Sequence, residues 1–241
     1  MSLLIITFIF GLFWGSFLNV LIDRLANNES LWGRSRCDHC RNVLGFFDLW
    51  PIISFCALLG RCRYCQNSIP RQHLVVEVLT AVLFTFGAYH LQNLNLSEPL
   101  VFLKYGILLS GLLVIGFQDY KYMIIMDVVI YSIAVPIFLI NLFLGWPILN
   151  MLLATGLLIV FFGAQYLISK GRWLGSGDIW LGGLLGLAFG WPNALEVIIW
   201  GYVIGAIISL VMLVVKKKEW GSQMPLGTFL SAAGILYLLV K

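Results

Sequence analysis

Four cysteines fall in two pairs, CDHC at 37–40 and CRYC at 62–65, and three carboxylates, Asp119, Asp127 and Asp178, stand at the edges of apolar runs. Each Cys-x-x-Cys places two thiolates on one tight turn, and two such turns can close a tetrahedron around Zn2+. The 21 residues between Cys40 and Cys62 lie just past the usual spacing of this pattern. Four thiolates leave no open coordination position, so a metal held by Cys37, Cys40, Cys62 and Cys65 is expected to be structural. Disulfides are the alternative, and His39, inside the first pair, is a competing ligand. Cys56, within PIISFCALLG, is expected to be a small packed side chain.

Asp178 lies in GSGDIW at 175–180, between two glycines and an apolar run. A charge at the rim of a bilayer is costly unless something uses it. Two carboxylates in contact cannot both ionise easily, so one keeps a proton as an acid while the other stays a base, and the pair titrates as a unit. Such a pair can take a proton from water, aim the water at a peptide carbonyl and protonate the departing nitrogen. Gly175 and Gly177 are expected to give the chain an open, non-helical path where an extended substrate meets unpaired backbone groups. Irregular backbone at that depth is tolerated where it lines a wet cavity or is buried in protein. Two other readings fit the same residues. Asp178 is an ordinary cap of the following helix, or the acids relay protons in a transporter. The transporter reading calls for acids near mid-membrane, and no apolar run has one near its centre.

The elements that position these groups follow from composition. The 241 residues are 61% hydrophobic and 11% charged, which excludes ordinary water-soluble classes and indicates an all-α polytopic membrane protein. Apolar runs near 2–22, 73–91, 99–118, 124–145, 148–168, 179–190, 193–215 and 225–240 predict eight transmembrane helices. Pro192 is either a boundary or a kink in one long helix. Charge decides for the boundary. Thirteen of the 15 basic residues then fall in segment 23–72 and loops 119–123, 169–178 and 216–224, all on one side. That side is the cytoplasm, and both termini face away from it.

Three parts are expected: a first transmembrane helix at 1–22, a cytoplasmic tetracysteine loop domain at 23–72, and a seven-helix membrane domain at 73–241. The first helix lacks a basic start and an Ala-x-Ala site, so it is read as retained. The loop lies in the reducing cytoplasm, where metal is favoured over disulfides. With few large apolar side chains it is expected to fold around its metal. The net charge of +4 follows topology and does not argue for nucleic acid. Lys216, Lys217 and Lys218 read as a headgroup-facing cap. The three aspartates share the cytoplasmic depth. The sequence carries no signal of oligomeric state.

The chain resembles the bacterial type IV prepilin peptidases, bifunctional leader peptidases and N-methyltransferases of the intramembrane aspartyl protease type. The resemblance runs nearly end to end: GSFLNVLIDRL at 15–25, the two cysteine pairs with FFDLWPIISF at 46–55 between them, RQHLVVEVLT at 71–80, Asp119 with a second Asp eight residues later, the Gly-x-Gly-Asp box at 175–178, and PLGTFLSAAG at 225–234. It implies Asp119 and Asp178 as a catalytic dyad, with Asp127 in support. It also implies a prepilin or pseudopilin substrate cut after a glycine at the cytoplasmic face, and methylation of the new amino group with S-adenosylmethionine. Met126 stands where the family usually has Pro, Trp180 where it often has Lys, Gln72 and His73 where it has Tyr-Pro, and PLGT at 225–228 where it has Pro-Phe-Gly-Pro. No nucleotide-binding glycine motif is present. Asn19, Asp48 and Glu77 are the residues to test for the methyl donor.

Overall fold

A computed structural model describes residues 2–93, 98–215 and 223–240. The lysines at 216–218 lie outside the described residues. Among the described residues the regular structure is helical, with two isolated β-bridges. The chain divides into two compact units, Met1–Ser97 and Glu98–Lys241.

The first unit holds α1 (Ser2–Ala26), the short α2 (Ile53–Ala57) and α3 (Arg71–Asn93). α1 and α3 pack antiparallel in constant register: Gly11 faces Ala81, Gly15 faces Glu77, and Asn19 donates to the His73 carbonyl at 3.0 Å. GLFWG at 11–15 makes this approach possible. A Cβ at Gly11 would sit 2.6 Å from Ala81 Cα, and one at Gly15 2.7 Å from Glu77 Cα. Small residues four apart let membrane helices come this close, and dispersion then holds them. α1 runs four residues beyond its apolar stretch because Arg24 closes it. The guanidinium donates to the carbonyls of Ser30, Leu31 and Arg34 at 3.1–3.2 Å, fixing the exit of the chain. His73 is half-buried with Nε2 3.8 Å from Asp23 Oδ2.

The second unit holds α4 (Pro99–Tyr122), α5 (Asp127–Phe143), α6 (Ile148–Ser169), α7 (Ser176–Phe189), α8 (Asn193–Val214) and α9 (Leu226–Val240). α7 packs on α5, α6, α8 and α9, and α9 packs in turn on α4 and α8. The boundary at Pro192 is a true break. α7 ends at Gly190, whose φ of +65° suits glycine, and Asn150 grips the next residue by donating to the Trp191 carbonyl and accepting its N–H. Lys104, inside α4, rests its ammonium 3.6 Å above the Trp146 ring, an aromatic face that offsets the cost of a charge within an apolar helix.

The chain is an integral membrane protein. Among the described residues five helices, α1, α3, α4, α6 and α8, are long and apolar enough to cross a bilayer, and α5, α7 and α9 are apolar but shorter. These are the eight apolar helices expected from the sequence, with the tetracysteine segment between the first two.

Candidate active site

Asp119 lies in the last turn of α4, not beyond it, because α4 continues three residues further and closes on Met123 in the left-handed conformation. Across from it, α9 begins. The Thr228 N–H donates to Asp119 Oδ2 at 2.7 Å, and the Thr228 hydroxyl reaches the same oxygen at 3.2 Å and the Gly116 carbonyl at 3.0 Å. The carboxylate of one helix thus satisfies an orphan N–H in the first turn of another, where the helix dipole also favours negative charge.

Asp178 repeats the device within its own helix. Gly175 is the N-cap of α7 (φ −80°, ψ 163°), and its N–H donates to Asp178 Oδ2 at 2.9 Å. The open path expected over Gly175 to Gly177 is therefore corrected. Only Gly175 is extended, and residues 176–178 form the first helical turn. Gly177 serves a different purpose, since a Cβ there would lie 2.7 Å from Ile125 Cβ. It lets the start of α7 lie against the loop between α4 and α5. Asp178 Oδ1 is buried and has no hydrogen-bond partner among the described residues.

Asp119 and Asp178 line one cavity of about 730 Å³, walled by residues 171–177 and 123–125 and by Gln165, Tyr202 and Phe229. Both aspartates are at least 90% buried, at 7% and 6% exposure. Tyr202 donates to Gln165 Oε1 at 3.0 Å, which fixes two polar groups on the far wall. So two carboxyl groups from different helices meet one recess, each with Oδ2 held by a backbone N–H at a helix start. Asp127 is not part of it. It is the exposed first residue of α5 and does not line the cavity.

Two departures from the resembled pattern have local explanations. Met126 caps α5 at φ −84°, ψ 125°, a backbone shape close to proline's, and Trp180 lies against Tyr131 of α5 with ring centroids 6.1 Å apart. The PLGT departure introduces Thr228. Sequence reasoning quoted that residue without assigning it a role, and its substitution for proline was the available signal.

In the first unit, the sulfurs of Cys37, Cys40, Cys62 and Cys65 all lie within 4.8 Å of one another, and the Cys37–Cys65 pair, one from each turn, is 3.8 Å apart. A tetrahedron of sulfurs about 2.3 Å from a central zinc has edges of about 3.8 Å. The spacing suits a metal. His39 does not join the cluster, and Cys56 is exposed, contrary to the packed side chain expected.

The two turns are structural copies, RCDHCRN at 36–42 and RCRYCQN at 61–67. Each is closed by a bridge, Arg36 to Val43 and Arg61 to Ser68. In each the first cysteine's N–H donates to the Asn carbonyl, and the residue after the second cysteine is left-handed. Burial disfavours the Cys62 thiolate, but the Cys65 and Tyr64 N–H groups and the neighbouring thiols bring it down to about 7. Cys65, despite the Asn67 N–H, is pushed up to about 11 by burial and by Cys62, Cys40 and Cys37. Charge gathered by one sulfur is denied to another, a repulsion that a divalent cation relieves.

The residues named for a methyl donor are engaged in the fold. Glu77 Oε2 accepts the Ile52 N–H at 2.9 Å, and Asp48 accepts from Arg63 at 2.7 Å and from Gly45 at 3.0 Å. Asn19 donates to the His73 carbonyl, and its Oδ1 is buried with no hydrogen-bond partner among the described residues.

Residues 9–91 match the family model of the Bacterial Peptidase A24 N-terminal domain, and residues 106–210 match that of the Type IV leader peptidase family. The chain is similar to a prepilin leader peptidase/N-methyltransferase of Stutzerimonas stutzeri, 27% identical over 96% of this chain and 88% of the relative. A protein of the same name from Pseudomonas aeruginosa is 25% identical over 99% and 91%. One from Myxococcus xanthus is 32% identical over 88% and 63%. No solved structure matches the chain. One matched region carries the cysteine cluster and the other the aspartate cavity, and both models describe one kind of peptidase; the chain belongs to the type IV leader peptidase family.

Proposed function

We propose that this protein is a membrane-embedded aspartyl endopeptidase that removes the basic leader of type IV prepilins or pseudopilins after a glycine, at the cytoplasmic face of the inner membrane. The observation that carries the reading is the meeting of Asp119 and Asp178, from separate helices, in one cavity. With Oδ2 of each held by a backbone N–H, the second oxygens are left to share a proton and a water. One carboxylate takes a proton from the water as its oxygen attacks the scissile carbonyl. The other carboxyl gives its proton to the departing amine, and the groups then exchange roles. Bonds at the Oδ2 atoms pre-aim the pair, so little reorganisation is needed in the transition state.

Cys37, Cys40, Cys62 and Cys65 hold a structural Zn2+ in this reading, which would fasten the two turns to each other and leave no position for substrate. Methylation of the new amino group with S-adenosylmethionine belongs to the same proposal, supported by the relatives' name. The charge distribution supports termini on the non-cytoplasmic side. Nothing in the family favours the transporter reading of the paired acids.

The test is to express Asp119→Asn and Asp178→Asn with a prepilin. Each keeps size and removes the shared proton, so uncut precursor should accumulate while the variants reach normal membrane levels. Mass spectrometry of the mature pilin's first residue reports cleavage and methylation together. Cleavage by either variant at a wild-type rate rules out the dyad.

A further inference from the structure

Segment 23–72 was expected to be a cytoplasmic loop domain, and its middle folds back onto α3. The Ile52 N–H is bonded to Glu77 Oε2 at 2.9 Å, and Pro51 is buried. Glu77 lies six residues into α3, about 9 Å past Arg71 at the rise of an α-helix. On α1 the same level is Gly15, eight residues inward from Asp23, or about 12 Å. The polar headgroup layer is only about 5–8 Å thick on each side of the hydrocarbon. The contact therefore draws residues around Ile52 below the charged ends of α1 and α3 to the hydrocarbon edge.

The neighbours of Ile52, namely Phe46, Phe47 and Ile53, are apolar and uncovered. Phe46 is 70% exposed, Phe47 73% and Ile53 59%. Phe46, Phe47 and Trp50 form a mutual cluster, with ring centroids 5.8–6.3 Å apart. Such a cluster in water is unfavourable, and contiguous exposed apolar surface marks a contact site. Arg34, Arg36 and Arg61, on the cysteine turns and the segment leading to them, supply the positive charge that headgroup phosphates attract.

We propose that residues 46–53 form a re-entrant aromatic wedge, inserted into the lipid beside α1 and α3, with its depth set by the Ile52–Glu77 bond. Phe46, Phe47, Trp50 and Ile53 sit among acyl chains at the headgroup boundary, while the cysteine turns stay above it. The partner is the bilayer itself. The irregular backbone is tolerated at this depth because Glu77 meets the Ile52 donor and Asp48 the Gly45 donor. The peptidase reading does not enter this inference; the metal enters only as the check on folding.

The test uses the full chain, zinc-loaded and in lipid nanodiscs, with Cys56→Ala and one nitroxide-labelled cysteine at Phe47, at Phe13 in mid-α1, or at Glu29 on the exposed exit of α1. Relaxation by oxygen, which partitions into lipid, is compared with relaxation by a water-soluble nickel chelate. The oxygen-to-nickel ratio at Phe47 should lie close to that at Phe13 and several-fold above that at Glu29. Adding Glu77→Ala should move Phe47 toward the Glu29 value. Metal content equal to the unlabelled protein shows that the loop is folded, and a label at Phe46 replaces any at Phe47 that fails this check. A Phe47 ratio equal to that of Glu29 overturns the proposal. So does shielding that arises only when a prepilin is added, which would make the wedge a substrate surface.

Discussion

Thr228 donates both its backbone N–H and its hydroxyl to one oxygen of Asp119, across a sequence separation of 109 residues. The Pro-Phe-Gly-Pro of the resembled pattern offers neither donor at this position, so this chain fixes its carboxylate in its own way. A hydrogen bond to a charged group contributes about 1.5–3 kcal/mol. Thr228→Val removes the hydroxyl and should slow prepilin cleavage about tenfold or more, whereas Thr228→Ser should keep most of the rate. Initial rates in nanodiscs decide, and equal rates for the two variants would remove the hydroxyl from the mechanism.

The two glycines of the 175–178 box should respond unequally. A Cβ at Gly177 collides with Ile125, while one at Gly175 meets Asp178 Oδ2 at an ordinary 3.7 Å, with φ at −80°. Overpacking typically costs about 1–3 kcal/mol. Gly177→Ala should displace the 123–126 loop beside Asp119 and lower cleavage strongly, and Gly175→Ala should stay within about a factor of three, since Gly and Ala differ by about 0.5–1 kcal/mol of backbone entropy. A reversed ranking in the same assay would contradict this packing account.

Asp127 is exposed at the start of α5 and outside the cavity. Its charge at a helix N-terminus is worth about 0.3–1 kcal/mol. Asp127→Asn should therefore lower the thermal midpoint slightly and leave cleavage within a few-fold of the wild type. Loss of cleavage with the fold intact would bring Asp127 into the chemistry.

Zinc content should fall from one per chain to none in Cys37→Ser or Cys62→Ser, measured by elemental analysis, because three sulfurs leave the tetrahedron open. The helices should remain, so far-ultraviolet circular dichroism should change little. Unchanged metal content would exclude the four-sulfur site.

Asp48 ties the 46–49 turn to the second cysteine turn. Burial pushes its carboxyl up, but the Gly45 N–H, the Arg63 guanidinium and the Tyr64 hydroxyl outweigh it and hold it below the usual carboxylate range. A depressed value means that the stabilisation is complete above the ordinary carboxylate range and is lost as pH falls through the folded value. Asp48→Asn should raise hydrogen exchange in the loop at pH 7, and the difference from wild type should close as the solution is acidified. A difference that widens toward acid would reverse the sign.

The eight apolar helices, the cysteine pairs and the acids were legible in the sequence because hydropathy and close spacing are local signals. What stayed hidden was decided over distance. Gly177 is needed for Ile125, 52 residues earlier, and Ile52 is held by Glu77, 25 residues later. Helix ends misled for a related reason: α1 and α4 outrun their apolar stretches because Arg24 and the left-handed Met123 close them. The copied turns could have been read from RCxxCxN occurring twice, since the Asn carbonyl and the left-handed residue before it complete each hairpin.

α7 and α9 have only 14 and 15 residues. At the α-helical rise they extend about 21–23 Å, against about 30 Å of hydrocarbon. α7, closed at Gly190, is thus shorter than the hydrocarbon is thick, and Asp178 stands in its first turn. In a bilayer such a helix would act as a ruler: it would sink the reactive floor beneath the surface, let water down a well that a full-length helix would fill, and fix how far from a substrate's membrane entry point a bond can be cut.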